Sequence, residues 1–104
     1  MTKRALVPIA NGSEEIEAVC IIDTLRRAGT AVTVASVEET LQITASRETK
    51  LVADAKIAAC ADETFDLIAL PGGMPGAEHL RDSEVLIDLL KVQRAAGRLY
   101  AAIC

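Results

Sequence analysis

The fold is decided by the stretch Arg4-Ala-Leu-Val-Pro-Ile-Ala10, which is followed at once by Asn11-Gly12. This short run is apolar after its first residue and lacks the alternation of polar and apolar side chains that a surface strand shows. A parallel strand that is covered on both faces has this pattern. The sequence therefore predicts a buried parallel strand over residues 4–10, ended by a turn.

A helix is predicted over residues 14–28, directly after that turn. The Ser13 hydroxyl can cap it, and the acidic side chains that follow favour the first turn because of the helix dipole. Arg26-Arg27 and then Gly29 mark its end. With the β-branched run over residues 31–37, this helix completes a strand-helix-strand unit.

The same alternation continues downstream. We predict a peripheral hairpin over residues 41–53, a buried strand over 66–70, a helix from Asp82 or Ser83 to about Ala96, and a fourth buried strand over 99–103. This order predicts an α/β fold, a doubly wound, flavodoxin-like sandwich with a mostly parallel central sheet. Ligands bind beyond the carboxyl ends of the strands in such folds, so the loops after residues 10, 70 and 103 should meet.

The predicted sheet is incomplete in this chain. A central parallel strand needs a helix on each side, and no covering element follows Ile103. We therefore expect residues 1–104 to be the N-terminal portion of a single domain, with a complementary C-terminal part as its partner. Exposed strand edge and apolar surface predict that this segment alone is inactive and poorly soluble.

Composition argues against several classes of protein. The 104 residues are 51% hydrophobic and carry 11 basic and 15 acidic side chains, for a formal net charge of -4. This is the composition of an ordered globular protein, and no cluster of Lys or Arg exceeds a pair, so no nucleic-acid surface is expected. No apolar run approaches the ~20 residues that cross a bilayer, and no cleavage pattern follows Met1. The sequence therefore predicts a cytoplasmic protein without a membrane partner.

The three cysteines lack the spacing of a metal or redox motif, so neither a metal nor a structural disulfide is expected. Cys104 lies where a predicted strand ends and a turn begins. Its thiol would project over the sheet, as the side chain of a nucleophile elbow does. A small apolar residue that closes a buried strand is an equally weighted alternative. Cys20 and Cys60 are expected to be inert residues on apolar helical faces.

Four other features are candidates for chemistry, each with an ordinary structural alternative. Pro71-Gly72-Gly73 can offer backbone amides to an oxyanion, or simply end a strand. Glu17 can be a partly buried acid, or a solvated helix residue. Arg47 can bind an anion, or solvate the hairpin. His79, the sole histidine, is assigned a surface or capping role and not that of a general base.

Several motifs combine into a more specific pattern. They are Lys3-Arg-Ala-Leu-Val7, Gly12-Ser-Glu-Glu-Ile-Glu17, Arg26-Arg-Ala-Gly29, Ser46-Arg47, Leu70-Pro-Gly-Gly73 and Ala101-Ala-Ile-Cys104. In order and spacing they resemble the DJ-1 family of the ThiJ/PfpI superfamily, most closely its bacterial YajL-like branch. The resemblance runs over essentially the whole chain but covers only the first half of a family member.

The resemblance implies roles for six residues. Cys104 matches the reactive cysteine of the family, and Glu17 matches the protonated glutamate that is hydrogen-bonded to it. Gly72 and Gly73 match the glycine pair of the oxyanion pocket. The family's site histidine would follow residue 104, in keeping with the omission of His79.

Arg27 and Arg47 match arginines near the site or at a dimer contact. The family's peripheral cysteine before the Ser-Arg pair is here Ala45, so a redox role for that position is not expected.

What the family does implies three possible functions. The first is a glyoxalase or deglycase that needs no metal or cofactor and takes a small aldehyde or a glycated substrate, in a homodimer. The second is an oxidative-stress sensor or redox-regulated chaperone that uses oxidation of Cys104. An intracellular cysteine peptidase is the least favoured, because those sites depend on oligomer contacts.

Overall fold

The structure is a computed structural model that describes residues 2–104. Ten strands and α-helices, and one short 3-10 helix at Ile57–Cys60, follow one another along the chain. They are β1 (Arg4–Ile9), α1 (Glu15–Arg27), β2 (Ala31–Ser36), β3 (Gln42–Thr44), β4 (Lys50–Val52), β5 (Ala55–Lys56), β6 (Leu67–Leu70), α2 (Gly76–Arg81), α3 (Glu84–Ala95) and β7 (Leu99–Ala102).

Five of the strands form one sheet in the order β5-β2-β1-β6-β7. Its four pairings within residues 2–104 are all parallel. β1 lies in the centre, and it is buried from Ala5 to Ile9. These observations confirm the predicted α/β fold with a parallel central sheet. The chain leaves β1 for β2 on one side and later returns to β6 on the other, so the carboxyl ends of β1 and β6 form the switch point of the sheet.

Successive side chains of the central strand enter two separate cores, one on each face of the sheet. Leu6 packs in a cluster with residues of α2, α3 and the 3-10 helix, whereas Val7 packs in a cluster with α1 and the hairpin. This follows from the twofold periodicity of a strand. The unbroken apolar run of β1 is therefore explained by cover on both faces. The hairpin itself, β3 antiparallel to β4, is confirmed.

Ser13 does not cap α1, contrary to the prediction. The N-cap is Glu14, whose Oε1 accepts a 3.5 Å hydrogen bond from the N–H of Ile16. Ser13 is fully buried, and its Oγ accepts from the N–H of Ala10 at 3.0 Å. The hydroxyl therefore stabilises the end of β1, because the turn directs it back toward the strand and not toward the helix.

The sequence did not predict β5, the 3-10 helix or α2, which are all short. α2 has Pro75 as its N-cap and Gly76 as its first residue. Gly76 lies so close to the β1–α1 turn that an added Cβ would be 2.4 Å from the N atom of Ser13. Contact with that turn stabilises a helix that its own sequence scarcely favours. His79 lies inside α2.

The fourth strand, β7, was predicted to be buried, and this is wrong for residues 2–104. All four of its residues are exposed, with Leu99 at 71% and Tyr100 at 52%. β7 is an edge strand that pairs with β6. Its apolar character therefore lies on the surface of the described part of the chain.

Candidate active site

Glu17 and Gly72 meet at the switch point of the sheet. Glu17 lies in the first turn of α1, and its Oε1 accepts a 2.8 Å hydrogen bond from the N–H of Gly72. The two residues are 55 positions apart. They meet because β1 and β6 are neighbours, so the helix that follows β1 and the turn that follows β6 emerge side by side.

Cys104 reaches the same place along the edge strand. Leu70 pairs with Ala102, and the next amide, that of Ile103, donates to the Leu70 carbonyl at 3.1 Å. Cys104 is exposed and has a φ of +74°, in the left-handed region that a residue with a side chain seldom adopts. This conformation, two residues after the end of β7, agrees with the nucleophile elbow predicted from the sequence.

The three residues converge on the Cα of Gly72. A Cβ added there would lie 2.7 Å from both the Oε1 of Glu17 and the Cβ of Cys104, and 2.8 Å from the carbonyl oxygen of Ile103. Real Cβ atoms essentially never approach so closely. The structure therefore brings Glu17, Gly72 and Cys104 together, and only glycine fits between the other two.

The Gly72-Gly73 turn is held between α1 and α2. The Gly72 carbonyl accepts from the N–H of Glu14 at 2.9 Å, and the Gly73 carbonyl accepts from the N–H of Ala77 at 2.9 Å. Gly73 has a φ of +96°, and a Cβ there would be 2.5 Å from the N atom of Glu14. The Gly72 amide is engaged by Glu17, whereas within residues 2–104 no protein atom accepts from the Gly73 amide.

The two arginines lie apart from this cluster. Arg27 is at the far end of α1, about 15 Å along the helix axis from Glu17, and its Nε donates to Asp23 at 3.0 Å. Arg47 lies in the hairpin turn, where its N–H donates to Glu15 at 2.9 Å and its guanidinium donates to the Ser46 carbonyl at 3.4 Å. Neither residue is placed with Cys104.

Glu15, which the sequence placed only in the first turn of a helix, anchors the hairpin to α1. Its carboxylate accepts from the Ser46 hydroxyl at 3.0 Å, the Arg47 N–H at 2.9 Å and the Thr49 N–H at 3.3 Å. Partial burial opposes ionisation, but hydrogen bonds from the backbone N–H of Glu15 itself, from Thr49 and from Ser46 outweigh it and lower the pKa of Glu15 from 4.5 to about 2. Glu15 is therefore ionised throughout the neutral range.

The sequence analysis also missed a second contact, which is partly buried. The Nδ1 of His79 and the Oε2 of Glu38 are 2.6 Å apart, and the N–H of Asn11 donates to the same oxygen at 2.9 Å. His79 and Glu38 are 41 positions apart. No local pattern indicates a contact between residues so distant in sequence, because it depends on how α2 packs against the end of β2.

The other two cysteines have different environments. Cys60 is buried, and burial, followed by the nearby Glu63 carboxylate, raises the pKa of its thiol, which favours the unreactive form. Cys20 lies on an apolar face of α1 beside Ile21 and Leu25, as predicted, and it is exposed within residues 2–104. All three cysteines are free thiols.

An apolar cleft adjoins Cys104 on the α2 and α3 side of the sheet. Its volume is ≈ 240 Å³, and its lining includes Gly72, Leu86, Leu90 and Ile103. This volume is below the range typical for drug-sized ligands.

Two kinds of feature are absent from residues 2–104. No three side chains of His, Cys, Asp or Glu approach one another closely enough to hold a metal ion. The helices in this part of the chain lack the length and apolar character of a bilayer span.

Comparison with known proteins identifies the family. The model of the DJ-1/PfpI family matches residues 3–104. Protein DJ-1 homolog B of Arabidopsis thaliana is 50% identical over 103 residues, 99% of this chain and 24% of that protein. The glutathione-independent glyoxalase DJR-1.2 of Caenorhabditis elegans is 36% identical over 92 residues, 88% of this chain and 48% of that protein.

The solved structures agree with the sequence comparison. Oxidized DJ-1 of Toxoplasma gondii superimposes with a TM-score of 0.98 at 57% identity, over 99% of this chain and 56% of that one. The chain thus spans about half the length of these relatives, or less. Together, the match over nearly all residues and the shared fold show that the chain belongs to the DJ-1/PfpI family.

Proposed function

We propose that this chain carries the reactive centre of a cysteine-dependent, cofactor-independent glyoxalase or deglycase that acts on small α-oxoaldehydes or their adducts. The observation that carries the proposal is the convergence of the Glu17 carboxyl and Cys104 on Gly72. The glyoxalase from C. elegans, to which the chain is similar, supports the same class of reaction.

The hydrogen bond from Gly72 gives the two oxygens of Glu17 different roles in the proposed reaction. Oε1 accepts from the Gly72 amide. A neutral carboxylic acid accepts through its carbonyl oxygen and donates through its hydroxyl, so the proton of the acid form belongs on Oε2. In the proposed reaction Glu17 begins as this neutral acid, with Oε2 as the donor.

The first step is addition of the Cys104 thiolate to the aldehyde carbon of methylglyoxal. A C–S bond forms, the carbonyl π bond breaks, and the new alkoxide takes the proton from Oε2 to give a hemithioacetal. The amide of Gly73 is a candidate donor to the developing oxyanion, since within residues 2–104 it has no protein acceptor.

The second step moves a proton between the two carbons of the substrate. The Glu17 carboxylate removes the proton from the former aldehyde carbon, which gives an enediolate, and returns it to the neighbouring carbon. The proton of the hemithioacetal hydroxyl passes to the oxygen on that neighbouring carbon, so the carbonyl group now lies next to sulfur and the product is a thioester of lactate. Water then hydrolyses the thioester, which releases lactate and the Cys104 thiol. The sum is methylglyoxal plus water to lactate, with no external oxidant or reductant.

The remaining parts of the proposal concern the whole protein. We place residues 1–104 as the N-terminal portion of one family domain, because the longer relatives match only over part of their length. A homodimer is proposed from the family resemblance alone. Roles at the dimer contact for Arg27 and Arg47, the YajL-like branch and a cytoplasmic location stay predictions.

The experiment is a lactate assay with methylglyoxal on the complete protein. Cys104→Ser should abolish lactate formation, whereas Cys20→Ser, which changes another exposed thiol, should leave it unchanged. Equal lactate production by the wild type and Cys104→Ser would end the enzymatic proposal.

An oxidative-stress sensor is the second candidate, and the similarity to the oxidized T. gondii protein favours it. In this reading two peroxide molecules each transfer one oxygen atom to the Cys104 sulfur and release the other as water, and the resulting sulfinate is held by Glu17 and the nearby amides. Mass spectrometry after mild peroxide should find two added oxygens on Cys104, and Glu17→Asp should alter how readily this product forms. Equal oxidation of all three cysteines would contradict a tuned sensor.

A further inference from the structure

Glu38 joins three segments that are distant in sequence. Its Oε2 accepts from the Nδ1 of His79 at 2.6 Å and from the N–H of Asn11 at 2.9 Å. A carboxylate only accepts hydrogen bonds, so Nδ1 is the donor. The side chain of Glu38 is 22% exposed and that of His79 is 38% exposed. One half-buried oxygen thus connects the end of β2, α2 and the turn after β1.

The turn from Asn11 to Glu14 leads from this oxygen to the candidate active site. Its four consecutive amides all donate hydrogen bonds: Asn11 to Glu38, Gly12 to the Thr44 carbonyl at 2.9 Å, Ser13 to the Ala10 carbonyl at 3.0 Å, and Glu14 to the Gly72 carbonyl at 2.9 Å. Of the four acceptors, only that of Asn11 is a side chain. The last acceptor is the carbonyl of Gly72, and the N–H of the same residue donates to the Oε1 of Glu17.

The turn also touches the start of α2 without room for adjustment. A Cβ on Gly12 would lie 2.5 Å from the Cδ of Pro75, and one on Gly76 would lie 2.4 Å from the N atom of Ser13. Backbone is therefore packed directly on backbone. If α2 moves, the turn must move with it, and His79 is the residue of α2 that is bonded across to Glu38.

We infer that Glu38 and His79 are positioning residues for the reactive centre. Their contact holds α2 and the Asn11–Glu14 turn together, and this keeps Gly72 in place between Glu17 and Cys104. The inference rests on the proposed function in taking Cys104 as the reactive group, but it makes no assumption about the substrate. Neither residue is assigned a chemical step, because both act through the turn.

The test measures how fast iodoacetamide alkylates each cysteine of the complete protein, resolved by mass spectrometry. Glu38→Ala and His79→Ala should each slow alkylation of Cys104 by about threefold to tenfold, the range expected for coupling through a contact network. The double variant should be no slower than the slower single variant, because both changes break the same contact.

Rescue distinguishes this role from a general loss of packing. In His79→Asn, an amide N–H takes the place of Nδ1–H, so alkylation of Cys104 should return to within about twofold of the wild-type rate. Glu39→Ala, which changes the exposed neighbour of Glu38, should have no effect. Any of three results would overturn the inference. They are wild-type alkylation of Cys104 in both alanine variants, effects that multiply in the double variant, and slow alkylation of Cys104 in His79→Asn.

The other two cysteines serve as internal controls. Buried Cys60 should stay protected in every variant, and exposed Cys20 should react at an unchanged rate. If Cys60 loses protection in Glu38→Ala, Glu38→Gln takes its place, since its carbonyl still accepts both hydrogen bonds and only the charge is lost. That variant should alkylate Cys104 within about twofold of the wild-type rate, as His79→Asn does, and a rate as slow as that of His79→Ala would overturn the inference.

The lactate assay separates this inference from the proposed function. If Glu38 and His79 control Cys104 alkylation but the wild type makes no lactate, the proposed activity fails and the positioning role stands. If the wild type forms lactate and both variants are alkylated at the wild-type rate, the proposed activity stands and the positioning role fails.

Discussion

The N–H of Gly72 donates to the Oε1 of Glu17 over 2.8 Å, and the Cα of Gly72 separates that carboxyl from Cys104. One glycine therefore supplies a hydrogen bond through its amide and space through its missing side chain. The bond orients the carboxyl and engages one of its oxygens. The geometry of the site thus depends on backbone atoms of the β6 turn as much as on the two reactive side chains.

Gly72→Ala should disrupt the site. The new Cβ would lie 2.7 Å from Glu17 and Cys104, so these groups must move, and overpacking of this kind costs about 1–3 kcal/mol of unfolding free energy. Alkylation of Cys104 and urea denaturation measure the two effects. Gly29→Ala is the control, because its φ of +87° brings backbone strain but no atom lies within 4 Å of the added Cβ. Altered alkylation of Cys104 in the control would show that the clash is not the cause.

Glu17→Gln should separate the hydrogen bond from the acid chemistry. The glutamine carbonyl still accepts from Gly72, so unfolding free energy should change by less than about 1 kcal/mol. Lactate formation should fall about 100-fold or more, since the amide cannot transfer a proton. Glu39→Gln provides a matched control on an exposed glutamate. Full activity of Glu17→Gln would remove Glu17 from the reaction.

Glu15 should make the stability of the protein sensitive to acid. Its pKa is about 2 in the folded chain against an ordinary value of 4.5, so its ionised form is bound more strongly by the fold. Its contribution is therefore complete above pH 4.5 and is lost as the pH falls from 4.5 to about 2. Urea denaturation of the wild type and Glu15→Gln should show a difference that shrinks over this window. A difference that stays constant with pH would contradict the assigned cause.

Gln93 should be a major contributor to the stability of the edge strand. It is 2% exposed, and its Nε2 donates to the carbonyls of Phe65 and Leu99, both at 2.9 Å. Gln93→Leu would leave both carbonyls without this donor, at a cost of about 2–4 kcal/mol in unfolding free energy. Val92→Ala, at a neighbouring residue that is 57% exposed, should cost less than about 0.5 kcal/mol. Similar unfolding free energies for the two variants would refute the role of Gln93.

The elements that the sequence predicts correctly are those with a strong local pattern. β1 and β6 are apolar runs that end at glycine turns, and α3 is capped by Ser83, whose Oγ accepts from the N–H of Leu86 at 3.3 Å. The hairpin is also found where it was expected. Each of these signals lies within a few residues of the element that it predicts.

The errors have a common origin in tertiary packing. The hydroxyl of Ser13 bonds back to β1, α2 forms because Gly76 fits against Ser13, and β7 lies at an edge of the described sheet. The contacts of Glu15 with the hairpin and of His79 with Glu38 span 31 to 41 positions. Periodicity and capping carry no information about such partners.

Local sequence was sufficient to predict a parallel α/β domain and to select Glu17, Gly72 and Cys104 as candidates. It could not show that the three surround one Cα atom, or that the Gly72 amide bonds to Glu17. These facts depend on β1 lying beside β6 and β6 beside β7. Strand order is decided by how two apolar faces of the sheet are buried together, and that is a property of the whole fold, not of any one segment.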